Sequence, residues 1–480
     1  MTPVRSRWTR RPSASASPEA TLRESVTTPR PAASANRGQV NSPAATTEPR
    51  TAVSLGISAR HRLTAFGRAP RILGVDLARG LAIVGMMGAH VGVAQSLEWT
   101  EPDTWGDLVN GRSSILFAVV AGLSIALLTR RTAFDDPDQV RTLRLQMLGR
   151  GAVVFAIGTV LELLNTGAAI ILAVYGALFI VIIPFLGLRR RALALWAAGL
   201  TLLSPGLLGL VGALSLDADG PGISLVLFGN YPLPEWLALM LIGLIVGRSR
   251  PERASTAIAL LIGGAALAFA GYAVGAAAEA WLDTIDWFAV SQQSIFSMLA
   301  GVDPDGYWSM VTAMQPEETA AWAALGVEPH SGGTPEIVGS GGFALAVIGL
   351  CLILARPLRI LILPLAALGS MPLTAYSAHI VLILATIGTA QDDQPDNGLW
   401  FGMTVGLLVG ATAWAILLGR GPLERLTAWC ARRTAAPPAD SRDAVIPARY
   451  DRFDPVAAGS EACDPGDIHE PPRPSDRTAP

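Results

Sequence analysis

The stretch Ile72-Leu-Gly-Val-Asp76-Leu-Ala-Arg79-Gly-Leu-Ala-Ile-Val-Gly-Met-Met-Gly-Ala-His90-Val-Gly-Val-Ala94 decides the fold. It is apolar for long enough to cross the roughly 30 Å of hydrocarbon in a bilayer. Nothing before it is: residues 1–68 are rich in Ser, Ala, Thr, Pro and Arg with almost no aromatic side chain. Such a segment buries too little apolar area to offset its folding entropy and reads as a disordered, basic tail. No apolar core of a secretory signal precedes Ile72, so the first helix is expected to act as its own insertion signal.

Further apolar runs follow at 113–129, 148–165, 168–187, 192–215, 233–247, 256–280, 336–355, 370–388 and 399–419, ten in all with the first. The piece 358–369 reads as interfacial, leading into a helix that starts near Ser370, where Ser370-Met-Pro372 has the form of a cap followed by Pro in a first turn. Composition agrees: 51% of residues are hydrophobic, 15% are charged and the mean hydropathy is +0.43, a balance a water-facing surface does not tolerate. The end of the chain, 434–480, is rich in Pro, Asp and Arg and reads as a second disordered tail.

Arginines sort by alternate gaps between these runs. Arg130, Arg131, Arg141, Arg144 and Arg150 fill one gap, Arg189–Arg191 the next, then Arg248, Arg250 and Arg253, then Arg356 and Arg359, then Arg420, Arg425, Arg432 and Arg433. The opposite gaps hold Glu98, Glu101, Asp103 and Asp107, then Asp217 and Asp219, then the long 281–335 loop, then Asp392, Asp393 and Asp396, with Arg112 as their one cation. Positive charge stays on the cytoplasmic side during insertion. The expectation is therefore an all-α integral membrane protein with about ten transmembrane helices over 70–430, both termini cytoplasmic and the 281–335 loop outside.

Ionisable side chains within a membrane are costly unless paired or hydrated, which marks each as a functional candidate. Asp76, Arg79 and His90 fall within about 60° of one another on the first helix, forming one polar stripe. Asp76 and Arg79 read equally as a structural ion pair near the cytoplasmic end. His90 lies about 16 Å further along, with no acid one turn away. Glu162, near the outer end of the third run, reads as a buried carboxyl at the depth of His90 or as a hydrated group at headgroup level. His379, in Tyr376-Ser-Ala-His379, falls halfway along the ninth run, and His330 lies in the outer loop, where a solvated His is ordinary.

Other chemistries lack a signal. Cys351, Cys430 and Cys463 have no metal-ligand spacing and no even pairing, so neither a zinc site nor a disulfide framework is indicated. No phosphate-binding glycine loop, HExxH or GxSxG is present. The basic residues have no interleaved aromatic platforms, which argues against nucleic acid. Trp99, Trp105, Tyr231, Trp236 and Trp400 near run ends read as interfacial anchors.

Arg71-Ile-Leu-Gly-Val-Asp76-Leu-Ala-Arg79-Gly80-Leu-Ala-Ile-Val-Gly85-Met-Met resembles the opening of the heparan-alpha-glucosaminide N-acetyltransferase type of membrane protein and of the related YeiB-like family, a domain of unknown function. Gly111-Arg112-Ser113-Ser114-Ile-Leu-Phe117 through Ala121-Gly122-Leu-Ser124 looks like their second helix. Leu172-Ala-Val-Tyr175-Gly176, Ala367-Leu-Gly369-Ser370-Met-Pro-Leu-Thr374-Ala-Tyr376-Ser-Ala-His379 and Arg420-Gly-Pro422-Leu-Glu424 look like later landmarks. The resemblance implies an acyltransferase fold that uses acetyl-CoA from the cytoplasmic side and acylates an acceptor on the other. In the heparan enzyme the active-site His lies between the first two helices, a few residues before a Trp. Here Glu98–Trp105 holds no His, and the nearest is His90.

Three functions follow as expectations, the last of them a non-catalytic membrane scaffold. The first is an acyl-CoA-dependent transferase acting on an amino or hydroxyl group of a cell-envelope sugar or lipid, with His90 as general base and Glu162 or His379 orienting it. Asp76, Arg79 and Tyr376 would then serve the substrate or the scaffold. Cytoplasmic Arg130, Arg131, Arg189, Arg190 and Arg191 would hold the CoA phosphates or serve topology alone. The second is a transporter or flippase in which the same polar groups form a path. Each places the chain in the plasma membrane as a multi-pass protein; the oligomeric state is left open.

Overall fold

The computed structural model describes residues 71–93, 98, 100–216, 220–282, 306–389 and 396–436. Both predicted tails fall outside these, apart from the first residues of 434–480. Among the described residues the regular structure is helical throughout. Each of the ten apolar runs folds as helix: α1 (Leu73–Val91), α2 (Arg112–Thr129), α3 (Pro137–Glu162), α4 (Leu172–Val181), α5 (Arg190–Leu214), α6 (Leu233–Gly247) and α7 (Ala254–Leu282) in the first part. After α8 (Tyr307–Ala313) and α9 (Pro316–Leu325) come α10 (Thr334–Leu354), α11 (Leu363–Gly369), α12 (Pro372–Thr386), α13 (Asn397–Leu417) and α14 (Pro422–Thr434).

Among the described residues six helices are long and apolar enough to cross a bilayer, or seven if α11 and α12, bent by 91° at their junction, make one span. The expected ten spans are therefore not all carried by length. Helices α4 and α6 are apolar but short, and α1, with Asp76, Arg79 and His90, is long enough but too polar to join the six. Helix starts follow local chemistry. Asp136 caps α3 by accepting from the N–H groups of Asp138 and Gln139 at 2.9 and 3.2 Å, with Pro137 at the first position. Those hydrogen bonds, Gln139's first, hold the Asp136 carboxyl below its usual range.

Packing centres on α1, α2 and α10, with α7 against α10, α6 against α2 and α11 against α1. Small residues set these distances. Gly80 and Gly369 face each other where α11 crosses α1, and a Cβ on Gly369 would fall on the Asp76 carbonyl and the Gly80 nitrogen. Within 358–369 the last four residues, Ala366 to Gly369, are buried against α1, because the crossing needs no side chain on one of its partners. Trp400 is likewise more than an anchor, since its ring nitrogen donates to the Val84 carbonyl at 3.0 Å and its ring lies against Gly88. Arg112 ties the start of α2 to α7 by donating to the Tyr272 hydroxyl at 2.8 Å, which in turn meets Ser340 of α10 at 2.9 Å. The 281–335 loop contains α8 and α9, and α9 packs on α5.

Candidate active site

His90 stands one residue before the end of α1, and Tyr376 and His379 share a face of α12 at a spacing of three. The segment before α6 adds Asn230 and Tyr231, and the loop before α10 adds His330. His90, Asn230, Tyr231, His330 and Tyr376 line a cavity of about 310 Å³, closed on other sides by Asn110 and by the 167–171 connection between α3 and α4. The His90 and His379 rings stack with centroids 5.7 Å apart and planes 10° from parallel. Tyr376 meets His379 edge-on at 4.7 Å, and its hydroxyl accepts the Ile171 N–H at 3.3 Å. His379 is wholly buried, and neither ring nitrogen has a protein partner among the described residues. His379 does not itself line the cavity; it stands behind His90, whose ring it backs.

Tyr231 lies edge-on to His330 at 5.8 Å and donates to the Ala169 carbonyl at 3.3 Å. Burial pushes its phenol upward, so it remains a donor. His330 opens toward cavity space, yet desolvation by the surrounding protein lowers its pKa and keeps the ring neutral near pH 7. The loop that carries it is clamped from below. Glu336 accepts the N–H of His330 at 2.8 Å, the N–H of Gly332 at 2.7 Å and the Ser331 hydroxyl at 3.2 Å. Gly332 has φ +69°, and a Cβ there would strike the buried Glu235 carboxyl.

A second cavity, also about 310 Å³, lies toward the other end of α1 and is lined by Arg79, Ser124, Arg150, Tyr175 and Glu424 among others. Arg79 bonds Asp76 at 2.5 Å and Ser124 at 2.6 Å, and Arg71 stands 3.6 Å from Asp76. Glu424 accepts from the N–H groups of Leu373 and Thr374 at 2.8 and 3.1 Å and from the Thr374 hydroxyl at 2.5 Å, fixing the first turn of α12. Helices α1, α2 and α12 contribute to both cavities, and consecutive residues Ile171 and Leu172 line the His90 cavity and the Arg79 cavity respectively.

Residues 71–276 match the protein family described as heparan-alpha-glucosaminide N-acetyltransferase, catalytic. That span is less than half of the chain, and over it the chain is similar to that family. No curated protein and no solved structure matches the chain. The matched region supplies His90, Asn110, Asn230 and Tyr231, together with Arg79 and Arg150, while His330, Tyr376, His379 and Glu424 come from beyond the match.

The structure thus brings together His90, His379 and Tyr376 from the sequence-predicted set and joins Asp76 to Arg79 as an ion pair whose guanidinium borders the second cavity. Glu162 is exposed at the end of α3 and lines neither cavity. Arg130, Arg131, Arg189, Arg190 and Arg191 are also exposed and line neither; Arg130 pairs with Glu252, and Arg190 donates to Ser249 at 3.4 Å. The arginines beside the second cavity are Arg79 and Arg150. Sequence reading missed Glu235 and Glu336 altogether and took Tyr231 for an anchor. Pro234-Glu235 and Pro335-Glu336 each place a carboxyl in the first turn of an apolar helix, and that signal alone would have marked them.

Proposed function

We propose that this multi-pass protein is an acetyltransferase that draws an acyl-CoA thioester, acetyl-CoA first among them, to the Arg79 cavity as the inner one and passes the acyl group to an acceptor in the His90 cavity as the outer one. One observation carries the reading: three histidines and a tyrosine converge at one end of α1, two arginines border a cavity at its other end, and His90, Arg79 and Arg150 of this set lie in the span that matches an N-acetyltransferase catalytic family. Arg79 and Arg150 suit the anionic donor, since guanidinium groups stay charged and bond phosphate through several donors.

The acceptor's amino or hydroxyl group attacks the thioester carbonyl carbon. A C–N or C–O bond forms, the C–S bond breaks, and the electron pair leaves with the CoA sulfur as thiolate. His90 takes the acceptor's proton and returns a proton to the sulfur, with His379 stacked behind it to hold the ring. The Asn110 amide supplies a donor for the carbonyl oxygen as charge develops there. The inner cavity faces the cytoplasm, ten segments cross the plasma membrane with both ends inside, and the acceptor is a sugar or lipid of the cell envelope.

Proteoliposomes given radiolabelled acetyl-CoA and an envelope extract test this. Labelled sugar or lipid is expected without any ion gradient. Absence of labelled product, with acceptor instead moved unchanged under a proton gradient, would replace the transferase with a transporter.

A further inference from the structure

Helix α14 follows α13 after only four residues, Leu418 to Gly421. Because α13 is apolar and long enough to cross a bilayer, α14 is held at the membrane boundary. Its two sides differ. Thr427 and Ala431 are buried, and Ala431 and Thr434 close on Gly149 of α3. On the other side Arg425, Leu426, Trp429, Arg432 and Arg433 are exposed and fall within a sector of about 120° at 100° per residue. Leu426 is 42% and Trp429 50% exposed, and the Arg433 guanidinium lies over the Trp429 ring at 5.2 Å. None of these three arginines has an acidic partner among the described residues.

An apolar pair flanked by three uncompensated cations on one face is the chemistry of a helix lying in the headgroup layer, where Trp and Leu enter the acyl boundary and Arg meets lipid phosphate. We propose that this face of α14 is a seat for anionic phospholipid headgroups of the adjacent leaflet. The seat bears on the inner cavity, since Glu424 on the same helix holds the first turn of α12 and both Glu424 and Thr427 line that cavity. It does not depend on what the cavity binds.

The test uses the full chain in nanodiscs of phosphatidylcholine alone or with about 30% phosphatidylglycerol, read by hydrogen exchange of Pro422–Thr434. Anionic lipid is expected to slow exchange there by roughly five-fold or more, with α10 unchanged, and about 0.5 M NaCl should remove the effect. Combined Arg425→Gln, Arg432→Gln and Arg433→Gln should abolish it, and the three Arg→Lys changes should keep it. Equal exchange of the wild type in both lipids, a response that survives in the Gln variant, or the same protection from inorganic phosphate in neutral discs would overturn the proposal. Should the Gln variant misfold, seen as fast exchange of α10, the wild-type lipid and salt comparisons still decide.

Discussion

Replacing Glu336 by Ala tests how the outer site is built. Its carboxyl accepts three donors from consecutive loop positions, His330 N–H, Ser331 Oγ–H and Gly332 N–H, at 2.8, 3.2 and 2.7 Å. Two of those residues hold positive φ, 70° at His330 and 69° at Gly332, a conformation a non-glycine residue such as His330 leaves once released. Hydrogen bonds to a charged acceptor contribute about 1.5–3 kcal/mol each, and a donor left buried costs more than one that water can reach. His330 opens to the cavity, so water offsets part of the loss, leaving a net cost of about 2–3 kcal/mol borne by the loop. That corresponds to an open fraction roughly 30–150-fold larger. Hydrogen exchange of residues 326–334 should accelerate by that order, while α10, whose packing Glu336 does not dominate, should exchange as before. Glu336→Gln should fall between, because an amide keeps one accepting oxygen and turns a second donor toward the loop. On the proposed function, Glu336→Ala also slows transfer with little change in acetyl-CoA binding. Loop exchange within two-fold of wild type would refute the clamp.

Further outcomes are expected at three positions. His90→Ala should lower acyl transfer by about 100-fold or more at unchanged abundance, and His90→Gln should not restore it; wild-type turnover in the Gln variant, per folded protein, would reduce His90 to packing and move the base to His379. Gly369→Ala should destabilise by about 1–3 kcal/mol or abolish insertion, since its Cβ meets backbone of α1 that cannot step aside; an unchanged melting temperature in detergent would contradict the crossing. His330→Asn should flatten the acid limb of stability. The folded pKa is lowered by burial, so above about pH 6.5 the group is neutral in both states, and below it the unfolded chain binds a proton that the folded one refuses. Wild type should therefore lose more melting temperature than His330→Asn between pH 7.5 and 5, and parallel curves would argue against a desolvated ring.

The helices were legible because length and hydropathy are local properties: each apolar run became a helix, and Pro372 marked the start of α12 within two residues of the expected position. How many of them cross was less legible. Runs such as 168–187 and 233–247 are apolar enough, but the first breaks at Ile183–Gly187 into a 3₁₀ turn, and neither α4 nor α6 alone has the length of a span. The break after Gly369 was legible from Ser370-Met-Pro372, but its 91° angle and the close crossing of the preceding helix over α1 were not, since the crossing depends on Gly80 far away in the sequence. The outer site was half legible. His90, Tyr376 and His379 stood out as polar groups in apolar runs, whereas His330 looked like any loop histidine until Glu336 and Tyr231 gave it a fixed place.

The polar stripe of α1 shows why angle alone does not define a site. Asp76, Arg79 and His90 share a face, yet eleven residues separate Arg79 from His90, about 16 Å along the axis, and each borders a different cavity. For the proposed reaction that spacing has a physical logic. A donor bearing several phosphates cannot follow its acyl group into a low-dielectric interior, so its charges must stop where guanidinium groups and water are found. Only the thin, uncharged arm that ends in the thioester is free to extend past Leu172 toward Ile171 and the imidazoles. The same separation keeps the charged Asp76–Arg79 pair away from His90, whose work as a base requires a neutral ring. One helix face therefore serves two electrostatic environments, and the Tyr376 and Ile171 side of the bundle, joined by their 3.3 Å hydrogen bond, forms the partition that an acyl group would have to pass.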